Sequence, residues 1–238
     1  MRFNINPRTE MMFSQAVALA QSGKMKSAIH AKGRDLLILN MDDTILLRFL
    51  MDQEFPGASS FFANDYESPV VEIENGTITF FVQRGAYEQR KSCQQPKLDF
   101  EGAVGIWDKY LPMLDFPMVF HKTAASLLDD SLSHVEIHGK DGKVLLVQKN
   151  IYSGSRVEVD ESTSTESLFS IHVVPEGMKP LGIRTNDFQA LFTFVESLTF
   201  YIQPGHSWVY FKDPSGMLEG ILATCVYDEL GLIADASE

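Results

Sequence analysis

One amphipathic helix followed by short strands occurs twice in this chain of 238 residues. One copy lies at Thr185–Glu229 and reads TNDFQALFTFVES, LTFYIQPG, SWVYFKDPSG and LEGILATCVYDE. The other lies near the N-terminus, where PRTEMMFSQAVALAQ precedes KSAIHAKG, DLLILNMDD and TILLRFLM. A repeated unit of this kind limits the possible folds sharply. Helices and strands do not alternate one to one, which excludes a regular parallel α/β sheet. The expected class is α+β, with antiparallel sheets and helices gathered on one side. The repeat also points away from chemistry built on a single catalytic cluster.

The local signals are as follows. Arg2–Asn6 alternates as a short strand. Pro7 suits a first helical turn, where its missing N–H costs nothing. Met12, Phe13, Ala16, Val17 and Ala20 then recur at helical spacing, and Gly23 ends that helix. Ser27–Ala31, Asp35–Met41 and Thr44–Met51 read as consecutive strands, with turns at Lys32-Gly33 and Asp42-Asp43. Pro56-Gly57 reads as a further turn, and Ser59–Asn64 as a turn or two of helix. The pair Asn75-Gly76, between PVVEIE and TITFFVQR, is a strong hairpin signal. Gln94–Pro117 shows no clear period and reads as a connector with a short ordered piece near Val104–Leu111.

In the second half, a strand at Met118–Phe120 precedes a helix at Thr123–Ser133. Strands follow at Val135–His138, Lys143–Lys149 and Arg156–Asp160. Glu161–Ser167 is a polar loop, and Leu168–Val174 returns to alternation. Thr185 or Asn186 caps the last helix, whose Phe188, Leu191, Phe192 and Val195 form one apolar face. The expected organisation is a domain at 1–97, a connector at 98–117 and a second domain at 118–238.

The net charge of −12 argues against a surface that coats nucleic acid everywhere, while leaving room for one locally basic face. The two cysteines, Cys93 and Cys225, lie far apart in sequence, so no disulfide framework is expected and a reducing cytosolic or nuclear compartment fits. No run approaches the roughly 18–20 apolar residues that span a bilayer, so no membrane partner is expected. Carboxylates are paired at Asp42-Asp43 and Asp129-Asp130. Neighbours on a strand face opposite ways, so such pairs read as turns rather than as an acid–base pair. His134 and His138 are four apart, and no nearby cysteine completes a zinc set. Phosphate-loop and nucleophile-elbow motifs are absent. No catalytic residue, metal or cofactor is expected.

Three passages resemble the sliding clamps that encircle DNA. LLILNMDDTILLRF (36–49), with its Asn40-Met41-Asp42 turn, is similar to the "SMD" passage of proliferating cell nuclear antigen. FKDPSGMLEGILATCVYDE (211–229) resembles that protein's closing strand and acidic end. NDFQALFTFVESLTFYI, followed by the LATC strand, resembles the Rad-nine-type subunit of the checkpoint clamp, the 9-1-1 complex. There a phenylalanine-bearing helix with "FAES" also precedes the last strands. The likeness is strongest over 168–229, fair over 2–51 and topological over 52–117.

The resemblance implies a DNA-clamp fold: two similar domains, antiparallel sheets outside and helices lining the inner face. It implies a heterotrimeric ring completed by two other clamp subunits, with double-stranded DNA passing through it in the nucleus. A clamp loader would place the ring at damage sites, where it would recruit repair and checkpoint signalling proteins without an active site. The DNA-facing candidates are Arg8, Lys24, Lys26, Lys122 and Arg184. The first helix lacks the lysines of the processivity clamp, and the last offers Asp187 and Glu196, so few phosphate contacts are expected. The implied partner-peptide groove comprises Met41, Leu47, Leu111, Met113, Ala223 and Val226. Residues 52–69 leave little room for a second helix in the first domain. Two rival readings stand beside this one: a homotrimeric processivity clamp for a polymerase, and an enzyme with an unrecognised site.

Overall fold

The computed structural model describes residues 2–22, 27–40, 45–62, 70–74, 77–93, 96–97, 99–109, 114–140, 142–149, 155–175, 178–193, 195–202 and 207–226. The chain divides into two units, Met1–Leu111 with Gly216–Gly220, and Pro112–Ser215 with Ile221–Glu238.

The first unit contains β1 (Arg2–Asn4), α1 (Pro7–Ser22), β2 (Ser27–Asn40), β3 (Ile45–Phe62), β4 (Val70–Glu74), β5 (Thr77–Arg84), β6 (Tyr87–Ser92) and α2 (Phe100–Lys109). Helix α1 begins as Pro7 suggests: the Asn6 side chain caps it, its Oδ1 accepting the Thr9 N–H at 2.8 Å. Strands β1, β4, β5 and β6 form an antiparallel sheet in the order β1-β4-β5-β6. Strands β2 and β3 form one long hairpin, and both α1 and α2 pack on it.

That hairpin departs from expectation. The two short strands predicted at 27–31 and 35–41 are one strand, and the predicted turn at Lys32-Gly33 lies inside it. Strand β3 runs on through Pro56-Gly57, and its last four residues, 59–62, are extended where helix was expected. The cause is a bulge. Asp35 pairs with Leu50 while Gly33 pairs with Phe55, so β3 carries extra residues there. Gly33, at φ 56°, absorbs the distortion. The bulge holds the start of α1: Thr9 Oγ1 donates to Asp52 Oδ1 at 2.7 Å, and the Asn6 N–H donates to Gln53 Oε1 at 2.6 Å. The described part of 52–69 is strand throughout, so no helix forms there. Phe13 of α1 stacks between Phe55 and Phe61 at 5.6 and 6.2 Å, and Phe61 meets Phe80 of β5 edge-on at 5.5 Å.

The second unit contains β7 (Pro117–His121), α3 (Lys122–Ser126), β8 (His134–Lys140), β9 (Lys143–Lys149), β10 (Arg156–Val159), β11 (Phe169–His172), β12 (Leu181–Arg184), α4 (Thr185–Leu191), β13 (Ser197–Tyr201), β14 (Trp208–Lys212), β15 (Leu218–Ala223) and β16 (Cys225–Val226). The first residues of β15 belong to the first unit. The elements β7-α3-β8-β9-β10-β11 and β12-α4-β13-β14-β15-β16 are two copies of one motif. One sheet has the order β10-β9-β8-β12-β16, and a seven-stranded sheet contains the run β15-β14-β13-β7-β11, which corresponds to it position by position. Each motif lends its first strand to the other: β7 pairs with β13, and β12 pairs with β8.

Both helices are shorter than their apolar periodicity suggests. Leu128 and Leu132 are buried in turns beyond α3, and Phe192 is buried beyond α4. Gln148, which is 0% exposed, organises this region. Its Oε1 accepts the Asp129 N–H at 2.7 Å, and its Nε2 donates to the Asp129 carbonyl and to Thr185 Oγ1, both at 3.1 Å. It thereby ties β9 to the turn after α3 and to the first residue of α4. Gln189 adds a bond from its Nε2 to Asp130 Oδ1 at 2.6 Å. The core beneath is aromatic. Phe120 meets Phe169, Phe188 and Phe200 at 5.6, 5.7 and 5.1 Å, and Phe200 meets Phe211 at 5.5 Å.

A Cβ at Gly139 of β8 would fall 2.1 Å from Val174 Cγ1. Gly139→Ala should therefore lower stability by about 1–3 kcal/mol in chemical denaturation. Val174→Ala in the same chain should recover most of that loss, because it removes the colliding methyl.

Candidate functional site

The described cation candidates lie on or beside helices, and each has a specific environment. Arg8, in the first turn of α1, forms an ion pair with Asp52 at 3.6 Å, and its Nη2 lies 3.6 Å from Met217 Sδ. Lys122 opens α3 and pairs with Glu196 at 3.3 Å. Exposed pairs of this kind contribute about 0–1 kcal/mol, so a phosphate can compete for either cation. Arg184 precedes α4, is exposed, and pairs in register with His134 of β8. Burial, and then the Arg184 charge, push the His134 imidazole below its usual value. Lys24 and Lys26 lie outside the described residues.

The acidic candidates change role. Asp187 is only 4% exposed, so it does not present a charge to a ligand. Glu196 lies beyond the end of α4 and offsets Lys122. The exposed residues of the α3–α4 region carry both signs, Lys122 and Arg184 with Asp129, Asp130 and Glu196, alongside the neutral Ser126, Asn186 and Thr193.

Three of the groove candidates, Leu47, Ala223 and Val226, lie among the described residues. Leu47 is 3% exposed and pairs with Ile38. Leu37 pairs with Arg48 on the opposite face of the same hairpin. Leu37, Phe100 and Ala103 form one buried cluster, so α2 covers Leu37's face and Leu47 lies on the other. Ala223 is exposed at the end of β15, and Val226 pairs with Leu181. Met41, Leu111 and Met113 lie outside the described residues.

Helix α2 was not anticipated in this form. Its Phe100, Ala103, Val104 and Trp107 fall at i, i+3, i+4 and i+7, a readable helical stripe. Gly102 and Gly105 between them weaken the signal, which is why the segment reads as a connector. Around it, Lys32 pairs with Glu101 and lies 5.5 Å from the Phe100 ring centre. The Arg48 guanidinium lies 5.9 Å from the Trp107 ring centre. Arg48 also binds Asp35 at 2.9 Å and Glu219 at 3.1 Å. Below this face, His30 is fully buried, with its Nδ1 2.8 Å from Ser60 Oγ.

The paired carboxylates and histidines have structural partners. Asp129 Oδ1 accepts the Ser131 N–H at 2.8 Å, and hydrogen bonds from Ser131 hold this carboxyl below its ordinary range. Asp130 binds Gln189 instead, so the pair does not converge on one point. Asp42-Asp43 lies outside the described residues. His134 and His138 both stand on strand β8. His138 Nε2 lies 2.6 Å from Glu136, which Lys149 also meets at 3.1 Å. Among the described residues, no group of three His, Cys, Asp or Glu side chains is placed to hold a metal ion.

No protein-family model and no curated protein matches the chain. Solved structures do. The PCNA2–PCNA3 complex from Sulfolobus tokodaii matches with a TM-score of 0.58 and 10% identity, over 94% of this chain and 99% of that one. The DNA polymerase III subunit beta from Pseudomonas aeruginosa matches with a TM-score of 0.64 and 11% identity, over 94% of this chain and 66% of that one. A putative DNA polymerase III beta subunit from Eubacterium rectale matches with a TM-score of 0.55 and 9% identity, over 94% and 64% of the two chains. This chain therefore spans slightly less than two thirds of the beta-subunit chains. At these identities the likeness is one of fold, and the α+β architecture with antiparallel sheets is that of the sliding clamps.

Burial pushes His30 from the ordinary 6.5 down to about 4, against the opposing pull of Asp99. The folded chain thus resists a proton that the unfolded chain accepts. No penalty applies above pH 6.5; stability falls as pH drops below it, and the loss levels off below pH 4. At about 1.4 kcal/mol per unit the loss totals about 3 kcal/mol. Urea titrations from pH 7 to pH 4 should show this decline, and His30→Gln should flatten it.

Proposed function

We propose that this chain is a subunit of a ring-shaped clamp that closes around double-stranded DNA and acts as a scaffold without an active site. The observation that carries this reading is a sliding-clamp fold in which β6 and β10 each end their described sheet. A terminal strand exposes backbone donors and acceptors that invite another strand. Pairing β10 of one copy with β6 of the next is a head-to-tail contact, and such contacts close into a ring when the rotation from copy to copy completes a full turn.

Two finer readings follow. The first is a homotrimeric processivity clamp for a polymerase, and solved neighbours named for a DNA polymerase support it. The sequence resemblance over 168–229 supports the second, a Rad-nine-type subunit of a nuclear checkpoint heterotrimer. That ring would be placed by a clamp loader and would recruit repair and checkpoint proteins. The neighbour described as a complex of PCNA2 with PCNA3 also favours assembly from unlike subunits.

Light scattering of the purified chain should give three times 26.7 kDa on the first reading. A monomer that gains mass only when mixed with other clamp subunits supports the second. A strict monomer with no affinity for any clamp subunit overturns both. Val157, 37% exposed on β10, offers a direct probe of the edge. Val157→Asp should shift the assembly towards monomer while leaving the melting temperature of the chain nearly unchanged. Linear DNA binding by the ring should also show a shallow salt dependence, at about 0.9 log units per phosphate contacted.

A further inference from the structure

Strands β3 and β15 are neighbours in the seven-stranded sheet. The residues that show how they meet all belong to the first unit. The Leu50 N–H donates to the Met217 carbonyl at 2.9 Å, and Arg48 Nη1 binds Glu219 Oε1 at 3.1 Å. A step back along β3 matches an equal step forward along β15, so the two run antiparallel. In that register Phe49 stands opposite Leu218. Both are 4% exposed, and they lie on the face away from the ion pair. The junction is thus an ion pair beside an apolar pair, with Arg48-Phe49 on one strand and Leu218-Glu219 on the other.

The two strands that end their described sheets carry the same pattern. Strand β10 begins Arg156-Val157, and β6 begins Tyr87-Glu88. An antiparallel pairing that sets Arg156 opposite Glu88 also sets Val157 opposite Tyr87. The faces agree. Val157 shares its side of β10 with the buried Val159. Tyr87 shares its side of β6 with Lys91, whose partner in register is the buried Phe80. In the single chain these two apolar residues are left in water, Tyr87 at 82% and Val157 at 37% exposure. Sliding β6 by two residues would oppose Glu88 to Glu158 and Arg90 to Arg156, two repulsive pairs. The arginines also correspond. Arg48 is held by two carboxylates, Asp35 and Glu219. Among the described residues Arg156 has one, Glu158 at 2.5 Å.

We propose that β6 of one copy of this chain joins β10 of a second copy in antiparallel register, with Glu88 bound to Arg156 and Tyr87 packed on Val157. Glu88 of the next copy then supplies the second carboxylate that Arg156 lacks. The occupant of each edge is a like chain, because one sequence carries both halves of the pattern. This register rests on the ring reading proposed above and adds to it the partner and the side chains that select it.

The test uses the full chain. In light scattering over a range of concentrations, Glu88→Arg and Arg156→Glu should each weaken self-association about tenfold, and the two together in one chain should restore it, because every contact again joins opposite charges. Tyr87→Cys with Val157→Cys should give covalent multimers on mild oxidation, since directly opposed residues of neighbouring strands lie within disulfide reach. Gln89→Cys with Val157→Cys should give none, and the single-cysteine variants control for Cys93 and Cys225. Self-association without the charge rescue or without the Tyr87–Val157 cross-link overturns this register and leaves the ring reading standing. Rescue of Arg90→Glu by Glu158→Arg does the same, because it places those residues opposite each other. A chain that assembles only with other clamp subunits overturns the like-chain contact alone, and a strict monomer overturns both. If a charge variant loses its cooperative melt, the cross-link decides.

Discussion

The second unit depends on an exchange of strands. Strand β7 begins one motif but pairs with β13 of the other, and β12 returns the arrangement by pairing with β8. Neither sheet is complete without a strand from the other half. Partners such as His121 and Ser197 lie far apart in the sequence, so the loop-closure cost precedes most of the gain. What holds the exchange is the layer between helices and sheet. Phe120 of β7, Phe188 of α4 and Phe200 of β13 touch one another and are all 0% exposed. Gln148 adds direction to that apolar layer. A buried amide must find partners, and its three bonds place α4's first residue beside the turn after α3.

Much of this was legible in the chain where one face is buried and the other wet. Strands β4, β5, β8 and β13 alternate apolar and polar residues over part of their length, while β9, β14 and β15 are short, mostly apolar runs, and their existence follows from those patterns. Strand β6 reads YEQRKS and is almost wholly exposed, so no apolar pattern marks it. Strand β3 contains Pro56-Gly57, a turn signal that a bulge accommodates inside a strand. The helices were over-extended for a related reason. Leu128 and Leu132 are buried as helical spacing requires, yet Gln148 takes the Asp129 N–H and Asp129 takes the Ser131 N–H, so α3 does not continue. After α4 the Phe192 and Thr193 N–H groups instead bond three residues back, to Gln189 and Ala190. Burial and hydrogen bonding usually report the same element, and here they diverge.

The candidate site was less legible, because it depends on which charges meet. A list of basic residues marks Arg8 and Lys122 as cations, but not that Asp52 and Glu196 answer them. Asp187 looks like a repulsive charge on a helix and is in fact buried. With a net charge of −12, a chain of this kind must keep its cations where carboxylates do not outnumber them. Leu47 shows the same limit for apolar residues: the face it occupies follows only from strand register.

The two terminal strands also bear on specificity. An edge strand in a monomer is usually blunted by charge, proline or a bulge. Strand β6 carries Glu88, Arg90 and Lys91, and β10 carries Arg156 and Glu158 at 2.5 Å from one another. Neither contains a proline. Charges of both signs discourage indiscriminate pairing, because a wrong register sets like charges opposite each other. They do not block the backbone bonds that a correct partner strand would make. On the ring reading, these residues select the partner and its register, while the backbone supplies most of the attraction. Whether one kind of chain or several make up the ring would then be decided by the side chains of two short strands and not by the fold.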